Sequence, residues 1–208
     1  MPKIYSDKER TDIIERLKTE ANILMQKKGV KKTTVDELVK RAGIPKGTFY
    51  LFYPSKEMLL FDCAQGFHKQ VDEYILNGMS RIISANNIDP EKKGSFLKHI
   101  DEIVDVIMGA IKITQDSCLK VLLNPESMEL ILSKLPEDVL KKHRQQDRNI
   151  GNGLFERVIA DEGLNADEMA GAFTMILFGG MYKQVIGEEN INASTRFLVK
   201  GLVMQIFG

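Results

Sequence analysis

The chain has no tryptophan, only two cysteines and three histidines, and no net charge over 208 residues. Each scarcity excludes something. Cys63 and Cys118 lie far apart in sequence, so no disulfide framework is expected, and the usage suits a reducing, cytoplasmic location. His68, His99 and His143 are isolated from one another and from the cysteines, so no metal-ligand spacing forms and no cofactor is called for. There is no phosphate loop, dinucleotide fingerprint, nucleophile elbow or zinc-protease helix. No catalytic residue can be named, and an enzyme has no support. No apolar run reaches the roughly 18 residues that a membrane helix needs. The opening stretch MPKIYSDKER is polar, so no secretory signal is expected. No strand pattern, internal repeat or low-complexity segment appears.

The missing net charge hides an asymmetry. Residues 1–60 hold 13 Lys/Arg against 8 Asp/Glu, whereas residues 61–208 hold 16 against 21. A basic head on an acidic body points to a polyanion as the partner of the head.

What is present is concentrated between Thr33 and Leu59. Two short helical patterns, Val35–Arg41 and Lys46–Phe52, flank the break Ala42-Gly43-Ile44-Pro45. That is the plan of a helix-turn-helix. Thr34, three residues before Glu37, predicts a capping box. Val35, Leu38, Val39 and Ala42 make one apolar face. Gly43 suits a left-handed helix end, and Pro45 suits a helix start. Gly47 sits one residue into the next helix, where Gly costs up to about 1 kcal/mol relative to Ala. Either a nucleic-acid backbone approaches it or it packs tightly on helix 2. Ser55 should cap a fourth helix. Lys56 in its first turn opposes the helix dipole, which makes sense if a phosphate lies there.

These residues resemble the DNA-binding signature of the tetracycline-repressor (TetR) family. The matching features are the threonines before helix 2, the run E-L-V-K-R-A-G-I-P-K-G-T-F-Y, and S-K-E-M-L opening helix 4. The resemblance is close over about the first 60 residues; beyond them only length and helical pattern are shared. It implies a head that reads double-stranded DNA with helix 3 in the major groove. Lys46 can reach a guanine edge or a phosphate, and Thr48 offers a hydroxyl and a methyl group. Thr33 and Lys56 would anchor helix ends on the backbone. By resemblance, Tyr50 contacts phosphate. The expected DNA-binding set is Thr33, Thr34, Pro45, Lys46, Gly47, Thr48, Tyr50, Leu51, Tyr53 and Lys56. One departure stands out: where the family often carries His-Phe near the end of helix 3, this chain has Phe52-Tyr53, so the histidine's phosphate contact is lost or passes to Tyr53.

The rest of the chain reads as helices throughout. Helix 1 is expected over residues 7–28, closed by Gly29. Helix 4 should run from Ser55 to about Met79, too apolar for one exposed face and so sandwiched between head and body. A loop follows over 80–95. Further helices are expected over Phe96–Ile113, Gln115–Leu123, Pro125–Leu132, Glu137–Asp161, Ala166–Ile186 and Ala193–Phe207. The fold class is therefore all-α, about nine helices. The head spans 1–54 and the body 55–208, with helix 55–79 linking them. The resemblance implies that the body binds a ligand and dimerises through its last two long helices, which are also too apolar to stay exposed. Met175, Phe178, Gly179, Tyr182, Phe197, Leu198, Gly201 and Leu202 are the expected dimer residues. Candidate pocket residues are Phe67, Ile100, Val104, Ile107, Met108, Cys118, Leu122, Phe155, Phe173 and Leu177. With ten methionines in the chain, the ligand is expected to be small and apolar or amphipathic. The reading is a ligand-responsive repressor that binds a palindromic operator as a homodimer. The alternative is a helical interaction protein whose basic head binds a protein partner.

Overall fold

The computed structural model describes residues 5–92, 94–122, 124–142, 165–179 and 183–207. Phe155, Tyr182 and most of the helix expected over Glu137–Asp161 lie outside the described residues. All regular structure among the described residues is helical. In order, the helices are α1 (Asp7–Lys32), α2 (Val35–Ala42), α3 (Lys46–Phe52), α4 (Lys56–Asn86), α5 (Ile100–Asp116), α6 (Leu119–Leu122) and α7 (Pro125–Leu132). They are followed by α8 (residues 137–142), α9 (Ala166–Gly179), α10 (Lys183–Ile186) and α11 (Glu188–Phe207). None is long and apolar enough to cross a membrane.

The chain divides into two compact units. The first comprises Met1–Lys69 and Asp116–Leu140, the second Gln70–Gln115 and Lys141–Gly208. Helix α4 contributes its first half to one and its second half to the other.

Local sequence explains most of the first unit. Ser6 and Glu9 form a reciprocal capping box at the start of α1. Gly29 has φ 77°, so it breaks the helical course as its lack of a side chain permits, and one further turn runs on to Lys32. The Thr34 hydroxyl accepts from the Glu37 amide at 3.4 Å. The other half of the expected box is diverted, because the Glu37 carboxylate pairs with Lys28. Gly43 ends α2 in the left-handed conformation, φ 66° and ψ 37°. The Ser55 hydroxyl caps α4 by accepting from the Met58 amide at 3.2 Å. Leu17, Leu24, Met25, Leu38, Phe49, Leu59 and Leu60 are fully buried and form the core of this unit.

Helix boundaries in the second unit differ from the sequence expectation. Helix α4 runs to Asn86 instead of Met79, because Met79, Ile82 and Ile83 continue its apolar stripe into the second core. The stop comes where Asn86-Asn87 stand: Asn87 has φ 50°, and the Ile88 amide returns to the Ile83 carbonyl. The loop is thus shorter than expected. Leu97–His99 form a 3-10 turn before α5, and α5 extends to Asp116. In the first unit, helix α6 starts at Leu119 instead of Gln115. Helix α9 is described over Ala166–Gly179, and α11 starts five residues early at Glu188, with Glu188 and Glu189 favouring the positive helix end. Ile103, Val104, Val199 and Val203 are fully buried where α5 and α11 pack together.

Candidate nucleic-acid interface

Helix α3 has only seven residues, so its placement depends on what grips it. Phe49 is wholly buried and Phe52 partly so, with the Arg10 guanidinium 5.1 Å above the Phe52 ring. The opposite face stands clear of the protein. Pro45, Lys46, Gly47, Tyr50 and Leu51 are all exposed, Tyr50 and Leu51 by 51% and 56%. Two large side chains so uncovered, beside a glycine and a lysine, form a surface awaiting a partner. A Cβ built on Gly47 would meet nothing within 4 Å. Tight packing on helix α2 is therefore not why this residue is glycine. Thr34, at the start of α2, is exposed as well.

The remaining expected residues, Thr33, Thr48, Tyr53 and Lys56, have partners within the chain. Thr33 is fully buried, and its hydroxyl donates to the Gly29 carbonyl at 2.8 Å, bracing the kinked end of α1. Thr48 is buried too, its hydroxyl 3.0 Å from that of Tyr5. Tyr53 is 7% exposed and donates its phenol to Asp62 at 2.6 Å. Burial, and then the bond to Asp62, raise the Tyr53 phenol well above its usual range. Asp62 is also 2.9 Å from Lys18, so one carboxylate joins α1, α4 and the end of α3.

Lys56 has the most distant partners in sequence of the four except Thr48. Its ammonium donates to the Val30 carbonyl at 3.1 Å and the Thr33 carbonyl at 2.7 Å. These carbonyls close α1, the negative end of that helix dipole, where a cation is favourable. The misfit at the positive end of α4 is offset by carbonyls 23 to 26 residues away in sequence. Arg16 does the same for α2, donating to the Ala42 carbonyl at 3.1 Å. Neither contact has a local sequence signal, because both depend on how the helices cross.

One polar pair on the exposed face was not foreseen. Lys46 at the start of α3 lies 2.8 Å from Asp36 in the first turn of α2. The hydrogen bond to Asp36, and then its charge, hold the Lys46 ammonium above its ordinary value.

The other expected groups are described unit by unit. Of the pocket candidates, Phe67 and Cys118 pack in the core of the first unit; Ile100, Val104, Ile107, Met108, Phe173 and Leu177 pack in that of the second. Leu122 lies on α6. A cavity of about 300 Å³ in the first unit is lined by Lys31, Glu126, Ser127, Glu129, Leu130 and Ser133, none of them a pocket candidate. Of the dimer candidates, Met175 and Phe197 are 77% and 80% exposed, Leu198 and Gly201 are exposed, and Phe178, Gly179 and Leu202 are half-buried. Among the described residues, no group of three His, Cys, Asp or Glu side chains could hold a metal.

Residues 19–63 match the model of bacterial regulatory proteins of the tetR family. A stretch of 54 residues, 26% of this chain, is 39% identical to the uncharacterized HTH-type transcriptional regulator YuxN of Bacillus subtilis, covering 19% of that protein. A stretch of 72 residues, 35% of this chain, is 32% identical to the HTH-type transcriptional regulator EthR of Mycolicibacterium smegmatis, covering 31% of that protein. The chain thus matches less than a third of the length of either relative. The structure of the fatty acid degradation regulator FadR from Bacillus halodurans aligns over 99% of this chain and 97% of its own, with TM-score 0.48 and 19% identity.

Proposed function

We propose, from the match of residues 19–63 to the tetR family of bacterial regulatory proteins, that the chain is a member of that family and a ligand-responsive transcriptional repressor that binds a palindromic operator as a homodimer. The observation that carries the reading is the bare face of α3. Pro45, Lys46, Gly47, Tyr50 and Leu51 project from a rigidly gripped helix with nothing above Gly47. A helix of this length presents few side chains to base edges, so a single head reads a short site. A second copy supplies the other half-site about 34–36 Å along the duplex. The apolar side chains left uncovered on α9 and α11, Met175, Phe197, Leu198 and Met204, support association through that face.

The effector is a small apolar or amphipathic molecule that enters the second unit, whose core is almost wholly aliphatic and aromatic. Helix α4, continuous over 31 residues, carries the response to the head. A tenfold loss of operator affinity needs only about 1.4 kcal/mol of coupling between the two sites. The head spans 1–54 and the body 55–208, with α4 belonging functionally to both.

The test is selection of bound duplexes from a random library, followed by titration of the enriched sequence. The expected product is an inverted repeat, bound with a slope of log affinity against log salt of several units. Absence of any enriched sequence across the salt range sinks the proposal.

A further inference from the structure

Asp36 is an acidic residue on a surface built to meet phosphates. It is the more exposed member of its pair, 75% against 52% for the Lys46 side chain. By itself a carboxylate there repels every duplex equally. Its contact with Lys46 makes the repulsion selective.

Lys46 is the first residue of α3 and the only cation on that helix. At the positive end of a helix an ammonium is poorly placed, and Asp36, reaching over from α2, compensates it. A lysine left free would swing on its flexible stem to whatever phosphate was nearest, strengthening binding to any sequence. A lysine held at 2.8 Å by a carboxylate yields only to a better acceptor. A guanine edge offers two acceptors, O6 and N7, at one place in the groove. A phosphate that the docked head brings to the same point is the other such acceptor. Neither is available in an arbitrary register.

We propose that Asp36 is a specificity-determining residue, which holds Lys46 off non-operator DNA and releases it only where the correct site presents an acceptor in its place. Specificity is a difference of affinities, and a repulsive element that acts on the wrong partner widens it. The proposal rests on the DNA-binding reading above and deepens it.

The experiment compares wild type, Asp36→Asn, Lys46→Gln and the double variant. Each is titrated with the selected duplex and with a scrambled duplex over a range of salt. Asp36→Asn keeps the size of the side chain and lies on an exposed turn, so folding is retained. Its affinity for the scrambled duplex is expected to rise about three- to tenfold, with the salt slope steeper by about 0.9, the signature of one additional phosphate contact. Affinity for the selected duplex rises less, so the ratio of the two falls. In the Lys46→Gln background, Asp36→Asn leaves that ratio unchanged, because Asp36 acts through the lysine. An unchanged ratio in the single variant overturns the proposal, and so does a fall that persists without Lys46. If wild type binds no duplex selectively, the DNA-binding reading itself fails; if it does and only the ratio is insensitive to Asp36, the failure belongs to this inference alone.

Discussion

Gly47→Ala separates fold from function because the two effects have opposite signs. The backbone at Gly47 is not in the left-handed region, and an added Cβ meets nothing within 4 Å. The methyl group therefore introduces neither strain nor collision in the free protein. Alanine exceeds glycine in helix propensity by about 0.8–1.0 kcal/mol in a helix interior. Gly47 is the second residue of α3, where half its backbone is still outside the helical ladder, so a gain of about 0.5 kcal/mol is the better estimate. That raises the melting temperature by about 1–2 °C for a chain of this size, measurable by circular dichroism. Against DNA the same methyl occupies the space through which a phosphate backbone approaches. Losing that approach lowers operator affinity tenfold or more, equivalent to at least about 1.4 kcal/mol, read by fluorescence anisotropy. The reasoning is refuted if the variant is more stable and binds operator as tightly as wild type. Glycine would then be present for no reason that the DNA interface supplies.

Two further predictions concern groups that the structure turns inward. Lys56→Met keeps the aliphatic stem but leaves the Val30 and Thr33 carbonyls without their cation; a loss of about 1.5–3 kcal/mol is expected in urea unfolding. The salt slope of DNA binding should stay as it is, and a slope reduced by about 0.9 would return Lys56 to the phosphate contacts. The second concerns alkaline pH. Burial pushes the Cys118 thiol up to about 12 and raises Cys63 and the Tyr53 phenol further. In the unfolded chain these groups ionise near 8.5 and 10, so above about pH 9 the unfolded state loses protons that the folded state keeps. These three groups thus leave stability unaffected below pH 8 and lower it as pH rises, by about 1.4 kcal/mol per unit for each group that has begun to titrate. Cys118→Ala should flatten the first part of that fall, and an unaltered pH profile of unfolding would contradict the assignment.

The sequence alone located the helix-turn-helix, because every signal for it is local. Gly43 ends α2 where the pattern places it, Ser55 caps α4, and α3 spans the expected Lys46–Phe52. The outward direction of Tyr50 and Leu51 was legible from the same 3.6-residue periodicity that buries Phe49. The charge asymmetry of the head required only counting. Helix α4 was read too short because polar residues near its end outweighed the stripe of Met79, Ile82 and Ile83, whose burial depends on a core assembled from distant segments.

What tertiary structure decided is the fate of individual polar groups. In isolation Lys56 is a cation at the wrong end of a helix, and a phosphate is a sensible partner for it. Only the crossing of α4 over the end of α1 brings two carbonyls within 3.1 Å of it. Thr33, Thr48 and Tyr53 carry hydroxyls that could face DNA; packing turns them to Gly29, Tyr5 and Asp62. The pairing of Asp36 with Lys46 likewise exists only because α2 and α3 cross at their first turns. Periodicity shows which side of a helix is buried. It does not show which acceptor from elsewhere in the chain arrives there, since that is set by the meeting of elements far apart in sequence.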